Sequence, residues 1–228
     1  MLELLRRDIG DRIAVIAVSE RADGDIHPER VPYDLLVERQ RAMTSTRWVM
    51  LDEVHGIGLY RWSDRTPASA MAAVGDVLVG DRCSPPVAVW AADCAPVVLF
   101  DDAAVPVACH AGWRGLAAGV IDVAAHSIAA PVVAVLGPCI HPCCYEFGER
   151  ELAEVAAGIG VPVDAIAGTS SQGTLALDVP AAVAAGLGRH GIEVDVMGSC
   201  TSCDPRWFSH RRGDVERHAV VAWSEPAL

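Results

Sequence analysis

Residues 91–119 read AADCAPVVLFDDAAVPVACHAGWRGLAAG. Two apolar runs stand in this stretch, Pro96–Phe100 and Val105–Cys109. Each is short, partly β-branched and bounded by Asp, Ala or Pro, as buried strands are. Paired as a hairpin across Asp101–Ala104, they bring the entrance of the first beside the exit of the second. Cys94 stands at that entrance and His110 at that exit, so a thiol and an imidazole meet at one end of a sheet. The chain then reads Ala-Gly-Trp-Arg-Gly and enters a run of small residues with helical character. Gly112 and Gly115 permit close backbone approach at this turn. Amides at a helix start, with Arg114 beside them, make an anion site.

A hairpin supplies two metal ligands. The candidate third is His55, in Leu51-Asp52-Glu53-Val54-His55-Gly56, at the end of the apolar run Trp48–Leu51. Two His and one Cys with an open fourth position is the catalytic rather than the structural zinc pattern. Taken singly, each of the three is equally a packed core side chain. Spacing alone leaves the two readings side by side.

Working outward, the 228 residues suit one large domain, or two intimately packed halves. Hydrophobic residues make up 52% and mean hydropathy is +0.29, enough for a sizeable core. Aromatics are only 5%, so Ala and Val must fill much of it. A net charge of −12 argues against nucleic-acid or anionic-membrane partners, which need a basic face. An anionic substrate needs local cations, and Arg114, Arg211 and Arg212 are the supply. No secretion signal or membrane span is legible, so a cytoplasmic protein is expected, its eight Cys mostly reduced; a monomer is also expected.

Strands are expected over Arg12–Ser19, Arg47–Val54, Gly58–Trp62, Gly75–Gly80, Val87–Ala91, Val132–Leu136, Thr174–Asp178, Glu193–Met197 and His218–Trp223. Gly58–Trp62 is expected to pair with Arg47–Val54 across Gly56, and residues 63–73 read as a loop. Helices are expected over Tyr33–Met43, Leu116–Ala130, Glu149–Gly158 and Val179–Arg189, the last capped by Asp178 with Pro180 in its first turn. Strands and helices mix without a βαβ rhythm. The expected fold is α+β, with a mixed β-sheet, in a single compact domain spanning 1–228.

Two further constellations stand out. Cys139, Cys143 and Cys144 lie in GPCIHPCCYEFG, and Cys200 and Cys203 form a C-x-x-C. They are readable as a Cys₄ zinc site, as a redox pair, or as buried small residues lining the same cleft; the last is the expectation. Phe208-Ser209-His210-Arg211-Arg212 is a second basic point, from which at most one Arg need reach the site.

The blocks VHG, ADCAPVVLFD, HAGWRG, LGPCIHPCCYEFG and CT…FSHRR occur in that order. Together they resemble the YfiH family, also called the multicopper polyphenol oxidase or laccase-domain family and peptidoglycan editing factor. The resemblance runs from about residue 45 to 222, and ADC with HAGWRG is its most specific part. It implies mixed β-sheets packed together with helices outside, and a zinc site at His55, Cys94 and His110. It also implies phosphorolysis of adenosine, inosine, guanosine and S-methyl-5′-thioadenosine, and deamination of adenosine. Tyr145 and Glu146 match a Tyr-Glu pair of the family, as substrate contacts or local hydrogen-bond partners. Asp93 would bond a ligand or a metal-bound water, or cap a strand end. This chain departs from the pattern at His210, where the family has Tyr. It departs again at Glu53, where the family has Gln; a carboxylate beside His55 would orient its imidazole or, equally, add charge and alter the substrate's electrostatics.

Three functions use these residues. In the first, water in the metal's open position ionises near neutral pH and attacks C6 of adenine, or phosphate held by Arg114 and Arg211 attacks C1′ of the ribose. The second is a cysteine hydrolase acting on peptidoglycan precursors, with Cys94 as nucleophile and His110 as base. The third is copper-dependent phenol oxidation, since N/N/S ligands also take Cu²⁺. A multicopper oxidase needs many His, and this chain has eight, scattered.

Overall fold

The computed structural model describes residues 1–62 and 73–227. The expected loop over 63–73 lies outside them except for Ala73. In chain order the strands are β1 (Leu2–Ile9), β2 (Arg12–Val18), β3 (Leu59–Arg61), β4 (Val77–Val79), β5 (Val87–Ala91), β6 (Ala95–Asp101), β7 (Pro106–Ala111), β8 (Pro131–Leu136), β9 (Ala167–Thr169), β10 (Leu175–Leu177), β11 (Asp195–Val196) and β12 (His218–Pro226). The helices are α1 (Tyr33–Thr44), α2 (Trp113–Ala118), α3 (Val120–His126), α4 (Glu149–Ile159) and α5 (Val179–Gly188). A six-stranded sheet runs β11-β8-β6-β7-β4-β3, a four-stranded sheet runs β1-β2-β12-β5, and β9 pairs with β10. This is the α+β class expected.

Strands β2, β5, β6 and β7 read as nearly unbroken apolar runs because both of their faces are covered. Val97, Leu99, Val107, Cys109, Ala134 and Leu136 face one core, shared with buried residues of α2 to α5. Their neighbours Val98, Phe100, Ala108, Val133 and Val135 face a second core, shared with Ile16, Val18, Val220 and Ala222 of the other sheet. Ala17, Ala219 and Val221 turn to a third, closed by Leu36 of α1. The period-2 alternation of side chains thus stacks helices, sheet, sheet and helix.

The β6–β7 hairpin forms as expected, with Pro96 opposite His110 and Val97 opposite Cys109. Its turn is held by Asp101, whose Oδ1 accepts from the amides of Ala103 (3.0 Å) and Val105 (2.8 Å). Three expectations need correction. Arg47–Val54 is extended but makes only isolated bridges, Val49 with Val87 and Asp52 with Val74. β3 pairs in parallel with β4 instead, because the Asp76 carboxylate captures the amides of His55 (2.9 Å) and Gly56 (2.7 Å) and turns the chain there. The helix expected from Leu116 is two helices, broken at Gly119, whose φ of 89° ends α2 and starts α3. Among the described residues no helix is long and apolar enough to cross a membrane.

Candidate active site

The end of the hairpin is where the chemistry collects. His110 is the penultimate residue of β7, Cys94 directly precedes β6, and His55 sits on the turn that Asp76 holds. The Cys94 Sγ lies 3.6 Å from His55 Nε2, and the two imidazole centroids are 4.7 Å apart, near-perpendicular. One ligand atom from each of His55, Cys94 and His110 falls within 4.8 Å of the others. Gly112 makes this possible: a Cβ there would stand 2.5 Å from His55 Cδ2 and 3.2 Å from Cys94 Sγ.

Acid groups surround the imidazoles. His110 Nδ1 donates to Asp76 Oδ1 at 2.9 Å, which leaves its Nε2 to face the other two ligands. Glu53 Oε2 lies 3.7 Å from the same Nδ1, and Glu53 Oε1 accepts from the Trp90 amide at 3.0 Å. Glu53 therefore stands beside His110, not beside His55 as expected. Burial pushes the Glu53 carboxyl up to about 8, only partly countered by His110 and the Trp90 N–H. Burial also acts to raise Asp76, but hydrogen bonds from His110, Gly56 and His55 leave it below its ordinary value. Burial would raise the Cys94 thiol; the charge and hydrogen bonds of His110 and His55 outweigh it and bring it down to about 6. Two nitrogens and a sulfur gathered among buried carboxylates suit a divalent cation.

Asp93 has φ 102°, unusual for a residue with a side chain. Three bonds hold it there. Its Oδ1 accepts from Thr201 Oγ1 (2.6 Å), its Oδ2 from the Arg211 amide (2.7 Å), and its carbonyl from the Ile140 amide (2.9 Å).

These residues open onto a cavity of about 710 Å³. Of the residues expected from sequence, His55, Asp93, Cys94, His110, Arg114, Tyr145 and Arg211 line it. The Arg211 guanidinium lies 5.5 Å from the Tyr145 ring centroid, and that of Arg114 lies 4.4 Å from Trp113. Arg212 does not line the cavity. Its guanidinium is spent on the carbonyls of Thr201 (3.0 Å) and Trp207 and on Asp214 Oδ2 (2.7 Å). Glu146 also faces elsewhere, accepting from Thr174 Oγ1 at 2.8 Å. Nor do the five cysteines at 139, 143, 144, 200 and 203 line the cleft as expected. Sequence reasoning missed Asp76, His27, Trp90 and Arg217. Asp76 had a signal, a carboxylate directly before the buried run Val77–Val79.

A family of proteins described as multi-copper polyphenol oxidoreductase laccase matches residues 28–225. The chain belongs to this family. It is 36% identical over 189 residues to a protein of Streptomyces coelicolor named purine nucleoside phosphorylase, covering 78% of this chain and 74% of that one. A Pseudomonas aeruginosa protein of the same name is 31% identical over 180 residues, covering 76% and 72%. The family fold is seen in YlmD of Geobacillus stearothermophilus, with a TM-score of 0.78 at 23% identity over 94% of this chain and 92% of that one. YfiH of Bacillus licheniformis gives 0.76 at 21% identity over 93% and 92%. The YfiH resemblance read from the motifs is therefore the family's own.

Proposed function

We propose that the chain is a zinc-dependent purine nucleoside phosphorylase, taking adenosine, inosine, guanosine and S-methyl-5′-thioadenosine, with adenosine deamination as a second activity. The observation that carries the reading is the convergence of His55, Cys94 and His110 on a cavity walled by aromatic rings and arginines. Bound zinc would supply a Lewis acid and a water that ionises near neutral pH. The chain's own residues do the rest. Asp76 fixes the His110 tautomer and holds the His55 turn. Trp90 and Tyr145 offer ring faces to a purine. Arg114 and Arg211 bring positive charge into a protein of net charge −12, as a phosphate dianion requires. In phosphorolysis a phosphate oxygen bonds to C1′ as the C1′–N9 bond breaks, and the electron pair leaves with the base. Asp93 acts by position, since both its oxygens are already committed. The names of the Streptomyces and Pseudomonas relatives agree with this reading.

A second reading uses the same atoms without metal. Cys94, His110 and Asp76 also form a nucleophile, base and orienting acid, which suits a cysteine hydrolase. Copper oxidation has less support. Among the described residues the only groups of three or more candidate ligands are this one and four cysteines, so the His-rich cluster of a multicopper oxidase has no counterpart there.

A nucleoside panel assayed with and without phosphate, after metal analysis, tests the proposal. Base release that requires both phosphate and metal supports it. Release without phosphate, or full activity in metal-free protein, overturns it.

A further inference from the structure

Four of the eight cysteines meet away from the cavity. Cys143 and Cys144 lie on one 3-10 turn, Pro142–Cys144, and Cys200 and Cys203 come from the loop after β11. The Cys144 and Cys203 sulfurs are 3.3 Å apart. Cys143 stands 3.7 Å from Cys203 and 3.7 Å from Cys144. With Cys200 included, all four sulfurs fall within 4.8 Å of one another. One zinc ion bonded at about 2.3 Å to four thiolates in a tetrahedron spaces them by about 3.8 Å. The three separations lie just below that value, and no pair exceeds 4.8 Å. They are too long for a disulfide bond of about 2.05 Å, and all eight cysteines are free. A polynuclear cluster would hold its cysteines farther apart than a single ion does.

Packing accounts for only part of the cluster. Cys200 is buried in the core and Cys143 and Cys144 pack half-buried against it, yet Cys203 is exposed, whereas free cysteines are usually buried. The loop is instead preset for ligation. The His141 amide donates to Cys200 Sγ at 3.4 Å, which fixes where that sulfur points. The Cys203 and Asp204 amides return to the Cys200 carbonyl at 3.1 and 2.9 Å, closing the C-x-x-C turn. Arg212 fastens the same turn through the carbonyls of Thr201 and Ser202.

We propose that Cys143, Cys144, Cys200 and Cys203 form a closed, structural zinc site, separate from the His55–Cys94–His110 centre. Loading it releases the thiol protons to solvent and leaves a zinc tetrathiolate of net charge −2. The site clips the 139–145 segment to the 200–204 loop. Those two segments hold Asp93, through Ile140 and Thr201, and carry Tyr145, so the clip braces one wall of the cavity. The inference stands whether or not the chain acts on nucleosides.

The test uses Cys94→Ser protein, in which the four-cysteine cluster is intact, purified with zinc under reducing conditions. One zinc per chain is expected, against two in the wild type. Cobalt exchanged into the same variant should show the absorption of a tetrahedral tetrathiolate, and Cys203→Ser added to it should abolish both. Peptide mapping after alkylation should find the four cysteines protected until a chelator is added, while exposed Cys83 reacts at once. The proposal is overturned if the four thiols alkylate as fast as Cys83 with no zinc bound, if any two are bridged, or if iron occupies the site. Should Cys94→Ser fail to fold, alkylation mapping and metal count on the wild type decide the same question: two zinc ions with these four thiols protected would support the site, and one zinc with them reactive would refute it.

Discussion

Two groups of ligands in this chain differ in donor type and in access. His55, Cys94 and His110 mix nitrogen and sulfur, are backed by Asp76 and Glu53, and open onto a cavity of about 710 Å³. Cys143, Cys144, Cys200 and Cys203 offer sulfur alone and line no part of that cavity. A metal that is to do chemistry needs a vacant position and tunable neighbours; one that ties loops together needs neither. The contrast is what the two proposals rest on: catalysis for the first group and bracing for the second.

The contrast breaks most visibly at the ligands. His110→Ala should reduce nucleoside turnover to background and remove the metal of the first site only, read by metal content beside activity. A variant that keeps turnover would move the chemistry elsewhere.

A buried histidine outside both groups sharpens the role of the acids. Burial would lower His110, but Glu53, Cys94 and Asp76 raise it well above its ordinary value. His218, fully buried at the start of β12 with Arg217 and Arg21 as its charged neighbours, is pushed down by burial from 6.5 to about 4. A depressed imidazole stays neutral in the folded state while the unfolded chain takes up a proton. Its stabilising effect is therefore complete above about pH 6.5 and lost as pH falls toward 4, amounting to about 3 kcal/mol. Denaturant midpoints of the wild type should fall across that window, and those of His218→Leu should fall less. An equal fall in both would show that His218 is not the group responsible.

Next in size is Asp76→Asn. The carboxylate accepts from His55, Gly56 and His110 together, and an amide cannot accept on both atoms. A ten- to hundredfold loss of metal affinity or activity, about what such supporting groups are worth, is expected in a metal titration.

Much of this is legible in the chain. The β6–β7 hairpin shows because its two runs are buried on both faces, and its register alone brings Cys94 and His110 together. The acid shell does not show. Asp76 lies 34 residues from His110, and only the β4–β7 pairing, Val77 opposite Cys109, joins them. Glu53 is conspicuous in the sequence but points to the wrong imidazole, since being two residues from His55 says nothing about which way the chain turns. The edge strand β1 escapes notice because Leu2–Ile9 interleaves charged residues with apolar ones. Cys143-Cys144 and Cys200-x-x-Cys203 are visible as motifs, but their meeting across some 60 residues depends on where β8 and β11 lead the chain.

Most selective is Arg114→Ala. Phosphorolysis brings a dianion into a protein of net charge −12, whereas deamination uses neutral water and a neutral base. Losing one charge-assisted contact costs roughly 1.5–3 kcal/mol, about a ten- to hundredfold drop in phosphorolysis at limiting phosphate. Deamination should stay within a few fold, with metal retained. Equal loss of both would give Arg114 to the nucleoside or the fold.

The most direct test of the division between the two groups is phosphate-dependent release of hypoxanthine from inosine, measured with zinc content on one preparation of Cys94→Ser protein. Release should be lost while one zinc per chain remains. Continued phosphate-dependent release, or loss of all zinc with the four distant thiols free, would contradict the division.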